Sequence, residues 1–336
     1  MRKLATNIFV LTSLFILSGC DSPAQKIEAS FEDYLQRLSN VLEVDAPEPP
    51  ATTSISLPAK RELIHDIPAI TMRLLDSYQL KACGLFHLIA EKNSSLGKVQ
   101  DKFRNFDYQL NFIDTAYQCL SDESISSEVA SELNRVAALK QSQLMLHFEN
   151  MVFGDDAMRN QLQSSRWLIE EDTWNLGTLL PALAAINKTH ILIAKTAPVD
   201  PINVTQYQES LDKIRLIGEL NFSLLRSSQW LERITILLNA NDAQVICRQN
   251  RDSTKFRYLR NVFNNNYIEQ IQPYSALLDG AYLQASPQLT FLTHQSGYEY
   301  SLQSNHERFR LAVKAHVDYW QRLFKRCGVP IGAPNE

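Results

Sequence analysis

Chemistry in a chain needs nucleophiles, acids, bases or metal ligands at workable spacings, and these 336 residues offer few. His87 and Glu91 lie four apart, so on a helix they share a face at an acid–base or ligand spacing, or simply form a surface hydrogen bond. Asn93, Ser94, Ser95 and Lys98 follow directly; a serine–lysine pair can act as nucleophile and base, and both residues can equally cap helices. Glu170-Glu171-Asp172 beside Trp167 and Trp174 could hold a cation, or form the solvated end of a helix. GxSxG, HExxH, GxxxxGK[ST] and CxxC do not occur, and the seven histidines stand singly. No catalytic residue, metal ligand or cofactor is therefore assigned; the reading leans away from an enzyme.

The cysteines carry more. Arg2 and Lys3 precede the apolar run Ile8–Leu17, too short for roughly 30 Å of hydrocarbon, and Leu17-Ser18-Gly19-Cys20 closes it. That ending resembles a bacterial lipobox, in which the chain is cut before the cysteine and the thiol and new amine are acylated. Cys20 is thus the expected lipidation site, and two or three acyl chains hold firmly at about 0.8 kcal/mol per buried CH₂. Asp21, followed by Ser22, resembles the sorting signal for the inner membrane, with the outer membrane as the alternative. No later stretch is expected to be apolar enough to cross a membrane.

Export would place Cys83, Cys119, Cys247 and Cys327 in an oxidising compartment, an even set with three pairings open. Sequence proximity favours Cys83–Cys119 and Cys247–Cys327. Each bridge would stabilise by roughly 4 kcal/mol in the chain-entropy model. One check opposes the first pair. A tight turn at 93–97 would leave the two cysteines about 18 Å apart in height on antiparallel helices. Either the connection extends to about Phe103 or the cysteines pair otherwise.

The elements that must position these residues are helical. Residues 1–19 read as the signal peptide, 20–60 as a lipidated N-terminus with a short helix and a proline-rich tether, 61–327 as the helical domain and 328–336 as a flexible tail. Ile27, Phe31, Tyr34, Leu35, Leu38, Val41 and Leu42 form one helical stripe. The proline-rich stretch 45–60 could reach roughly 50 Å, as a spacer or as a strap that docks the first helix. Helical spacing is read from Arg61 onward, with one long helix over Leu211–Leu238 and a last one over 305–327. A small β-hairpin is expected near 288–300. The class is all-α, a multi-helix bundle of long antiparallel helices. The window Leu162–Leu168 echoes Leu225–Leu231, both with Ser-Ser-x-Trp-Leu.

Composition excludes other classes. Only 10 glycines and a net charge of −4 speak against an all-β protein and a polyanion-binding coat. Residues 248–336 carry eleven Lys or Arg against seven Asp or Glu, whereas 20–247 carry twenty against thirty. Within the basic part, Arg248, Arg251, Lys255, Arg257 and Arg260 interleave with Phe256 and Tyr258, a segment suited to anionic lipid head groups or a solvated face. Nucleic acid would suit these charges but not an exported protein.

The lipobox, Phe31-Glu32-Asp33-Tyr34-Leu35, the stretch Leu88–Lys98 with Asn93-Ser94-Ser95-Leu96-Gly97-Lys98 at its end, and the cysteine placement together resemble one family. It is a family of Gram-negative bacterial lipoproteins of unknown function, DUF3080. The resemblance implies an envelope lipoprotein and no catalytic residue. Two expectations remain: a membrane-anchored, non-catalytic protein that meets an envelope partner, or a small-ligand-binding or hydrolytic domain with a polar pocket around Asn93, Ser94, Ser95 and Lys98.

Overall fold

The computed structural model describes residues 23–70, 78–196, 203–247, 254–293 and 296–329, so Cys20, Asp21, Ser22, Arg248 and Arg251 lie outside the described residues. Eleven helices of six or more residues organise the described chain: α1 (Pro23–Leu42), α2 (Leu85–Asn93), α3 (Lys102–Cys119), α4 (Ser127–Gly154), α5 (Asp156–Leu162), α6 (Leu176–Ala194), α7 (Gln208–Lys213), α8 (Leu216–Ala240), α9 (Thr254–Val262), α10 (Gln272–Ala285) and α11 (Leu302–Cys327). A π-helical stretch, Phe263–Ile271, joins α9 to α10. The rest is loops, 3₁₀ turns and the single-turn helices Lys60–Leu63 and Glu170–Thr173.

The α1 stripe is buried, with Phe31, Tyr34, Leu35, Leu38 and Leu42 each at most 3 % exposed. Phe31 stacks between Trp167 and Trp230, at centroid distances of 5.8 and 6.2 Å. One turn earlier the Glu28 carboxylate accepts Trp167 Nε1 at 2.6 Å, Trp230 Nε1 at 2.9 Å and the buried Arg226. The two tryptophans of the echoed windows thus grip the same helix. Arg226 Nη1 also donates to Pro50 O (2.7 Å) and Ala51 O (3.1 Å), and Ile55 exchanges backbone hydrogen bonds with Ser164. The proline-rich segment therefore crosses the body, with Ile55 and Leu57 buried.

Helix α8 packs along α11 in the main core, with the small Ser223, Ser227 and Ser228 fully buried along its length. Cys247–Cys327 closes that pair at its end, with Cα atoms 4.9 Å apart. His316 of α11 sits at the centre. Tyr34 OH donates to its Nε2 (3.0 Å) and accepts from Trp320 Nε1 (3.1 Å), leaving the Nδ1 hydrogen for Thr235 Oγ1 (3.0 Å). Burial holds this imidazole down to about 3, so it is neutral and every polar atom in the cluster has a partner.

A smaller core lies to one side. Phe103, Phe106, Leu110 and Ile113 of α3 face the main core, while Phe112, Ala116 and Cys119 pack with Leu80, Leu85, Val129, Leu133, Val136 and Ala137. Cys83–Cys119 staples this unit, with Cα atoms 5.3 Å apart. The height mismatch set out above does not arise, because α3 begins only at Lys102 and the connection climbs through a 3₁₀ turn at Gly97–Val99.

Four expectations need correction. Residues 64–70 are not helical: Pro68 lacks a donor and restricts its predecessor, and Asn150 instead satisfies the His65 backbone through Oδ1 (2.7 Å) and Nδ2 (3.0 Å). The expected long helix over Leu211–Leu238 is two, broken at Ile214, because the fully buried Gln161 donates to Leu211 O and Ile214 O and accepts from Ile217 N (3.1 Å). The hairpin is absent among the described residues; a 3₁₀ turn at Ser286–Gln288 and one bridge, Thr293–Glu299, place Leu289, Phe291, Leu292 and Tyr300 in the core together. Finally, α6 is long and apolar enough to cross a membrane by length and composition, with a mean hydropathy of 1.3. Leu179, Ala182, Leu183 and Ile186 are nevertheless buried against the main core, so we read it as a core helix.

Candidate functional site

Polar residues recur at three- and four-residue spacing on two facing helices of the stapled unit. Helix α4 contributes Lys140, Gln143 and His147 after Val136; α3 contributes Asn105, Tyr108, Gln109 and Phe112. The last turn of α2 adds Ile89, Lys92 and Asn93, and residues 67–70 form the remaining wall. Together they line a cavity of about 420 Å³, within the usual range for small-molecule sites.

Two lysines dominate its electrostatics. Lys140 is 8 % exposed; its Nζ donates to Gln109 Oε1 at 2.8 Å and lies 4.6 Å from the Phe112 centroid and 5.2 Å from that of Tyr108. Lys92 Nζ approaches the same Tyr108 ring at 5.4 Å and donates to Gln100 Oε1 at 3.0 Å. Among the described residues neither makes a salt bridge. Burial, and then the charge of Lys92, push Lys140 down to about 8. Burial and Lys102 lower Lys92 as well. His147 falls to about 4, first by burial and then by Lys140, Lys92 and Lys102, so it is neutral at pH 7. Asn105 Nδ2 donates to His147 Nδ1 at 3.3 Å, which leaves the ring proton on Nε2. The buried Gln143 Oε1 has no partner.

Of the expected site residues only Asn93 lines this cavity. Ser94, Ser95 and Lys98 are exposed and build the turn that ends α2: Ser94 Oγ accepts from Gly97 N at 3.0 Å. A Cβ at Gly97 would lie 2.2 Å from the Glu91 carbonyl oxygen, so the Asn93–Lys98 motif encodes a close approach of backbone. His87 and Glu91 both face solvent. Lys255 pairs with Glu43 at 3.3 Å, and exposed Arg257 stacks beside Tyr258 (5.6 Å), so neither enters the cavity. Lys92, Lys140, Gln143 and His147 are residues the sequence reading passed over; their signal is a polar stripe interrupting an apolar helix face.

Other polar groups lie apart from it. Arg166 bridges Glu219 (Nη2, 2.7 Å) and Asp172 (3.0 Å) beside a cavity of about 460 Å³, and burial, opposed by Arg166, raises Glu219 to about 7. Glu170 and Glu171 are exposed, so the acidic cluster contributes Asp172 alone to that site. His306 Nε2 meets Asp279 at 2.7 Å under the stacked Tyr282 ring, and His65 pairs with Glu149. Among the described residues no group of three or more His, Cys, Asp or Glu could hold a metal.

The fold and its bridges define an all-α, doubly disulfide-bonded protein with a cation-lined cavity in its smaller core. Residues 31–331 match the family described as "Protein of unknown function (DUF3080)", and the chain belongs to that family. No curated protein and no solved structure matches it.

Proposed function

We propose that this is a lipid-anchored bacterial envelope protein facing the periplasm, which works by binding rather than by catalysis. One observation carries the anchoring: four of the five cysteines bridge one another, and the one left over, Cys20, stands where a lipobox places the acylated residue. Two bridges fit an oxidising compartment. Asp21 and Ser22 favour retention at the inner membrane over the outer one. Binding is supported by the cavity, whose lysines donate to amides rather than to an aligned nucleophile. An envelope protein is the expected partner of the surface around it, and Arg257 remains available to anionic head groups. Labelling cells with palmitate tests the reading. Wild-type protein should take up label and Cys20→Ala should not; unlabelled wild-type protein that retains residues 1–19 would overturn it.

A further inference from the structure

The cavity between α2, α3 and α4 is a binding site for a small soluble organic anion, we infer, with Lys140 and Lys92 receiving its carboxylate or phosphate head and the Tyr108 and Phe112 rings its apolar body. The inference extends the binding role and does not depend on the lipid anchor.

Cations elsewhere in the protein have company. Arg226, 3 % exposed, meets Glu28; Arg159, 8 % exposed, donates to the carbonyls Phe153 O (3.0 Å) and Pro58 O (2.8 Å); even the half-exposed Arg166 meets Glu219 and Asp172. Lys140 has less than any of these: one neutral amide, two aromatic faces and further positive charge. A buried charge is retained against its desolvation cost only with compensation, and among the described residues no side chain supplies the negative half. An anion in the cavity would, and it would be held by two ammonium groups over the same ring. The lowered proton affinities of both lysines and of His147 agree with a site short of negative charge.

The walls restrict the class further. Ile89, Val136, Tyr108 and Phe112 give apolar surface, so a bare inorganic ion would leave most of the volume unfilled. The unpartnered Gln143 Oε1 adds an acceptor for a hydroxyl or amine on the ligand. The cations are lysines throughout, point charges rather than the guanidinium fork that selects planar bidentate groups, so carboxylate and phosphate heads both fit.

The test is calorimetric titration of the full chain in detergent with phenylacetate, phenyl phosphate and the uncharged 2-phenylethanol. Saturable binding of at least one of the two anions is expected, with the alcohol weaker by about tenfold or more. Lys140→Met should lose that anion binding by about tenfold or more while melting no lower than wild type, which separates a lost site from a lost fold. Lys98→Ala, an exposed neighbour outside the cavity, should bind as wild type does. The inference is overturned if neither anion saturates up to about 10 mM, well beyond useful affinity for a site of this size. Equal binding of the alcohol, or unchanged anion binding by Lys140→Met, would also overturn it. Binding only to phosphatidylglycerol vesicles would place the anion in the bilayer and refute a soluble ligand.

Discussion

Replacing Lys140 by methionine should stabilise the protein at neutral pH, and its magnitude follows from the surroundings of the ammonium. A lysine whose proton affinity falls from 10.5 to about 8 on folding costs the folded state about 3 kcal/mol while it stays charged. Methionine keeps the apolar stem and removes that cost. Against it stand the lost hydrogen bond to Gln109, about 1 kcal/mol, and the lost contacts with the Tyr108 and Phe112 faces, about 0.5–1 kcal/mol. The balance is a gain of about 1 kcal/mol, or about 1–2 °C in Tm for a chain of this length. Its pH dependence is specific. Below about pH 8 the wild-type lysine is charged in both states and the cost is complete. Between about 8 and 10.5 the folded state has shed its proton while the unfolded chain keeps it, so wild-type stability rises with pH and the advantage of the variant shrinks. Thermal melts followed by circular dichroism at pH 7 and pH 10 measure both effects. A variant that melts below wild type at pH 7, or a gap of equal size at both values, would refute the account of Lys140 as an uncompensated charge.

Opening the Cys83–Cys119 bridge with paired serine substitutions should loosen the smaller core first, since α2 buries only Leu85 and the bridge contributes about 4 kcal/mol in the chain-entropy model; hydrogen exchange should rise over residues 80–100 while 302–327 stays protected. Glu28→Gln leaves the buried Arg226 without its counter-charge and should cost about 3 kcal/mol in urea unfolding, with altered tryptophan fluorescence from Trp167 and Trp230. Because burial holds His316 down to about 3 while the unfolded imidazole titrates near 6.5, stability is lost as pH falls from 6.5 toward 3. That loss should reach about 3 kcal/mol by pH 4, and His316→Phe should show less of it. Gly97→Ala should destabilise by about 1 kcal/mol or more, because its Cβ would press on the Glu91 and Lys92 carbonyls, whereas Ser95→Ala should leave the melt unchanged.

The helical class, the stripe of α1 and both cysteine pairs were legible because each depends on local period or on a count. The break at Ile214 was not, since the group that replaces the helical hydrogen bonds, Gln161, lies far back in the chain and looks like any surface glutamine until it is found fully buried. The hairpin failed for a related reason: the alternation of Leu289 and Phe291 suggests two faces, yet Leu292 joins them in one core. Asn93–Lys98 was visible as a helix stop, and it is one; its charged member points away from the chemistry. The cavity itself escaped because a lone lysine in sequence reads as solvated. Lys140 becomes informative only when α3 supplies Gln109 and Phe112 across from it, a pairing that no period within α4 can announce.

The two cores treat buried charge differently. In the main core the buried charge and imidazole meet partners: Glu28 with Arg226 and two indoles, His316 with Tyr34, Thr235 and Trp320. Such networks fix the docking of α1. The smaller core is held by a covalent staple and has its cations in excess, with one amide oxygen unpaired. A bridge between Cys83 and Cys119 makes that imbalance tolerable, because it secures α2 against α3 without requiring the cavity wall itself to be stable. Stability and recognition are thus assigned to different parts of the same chain, and a stabilising substitution at Lys140 that abolishes anion binding would demonstrate the division directly.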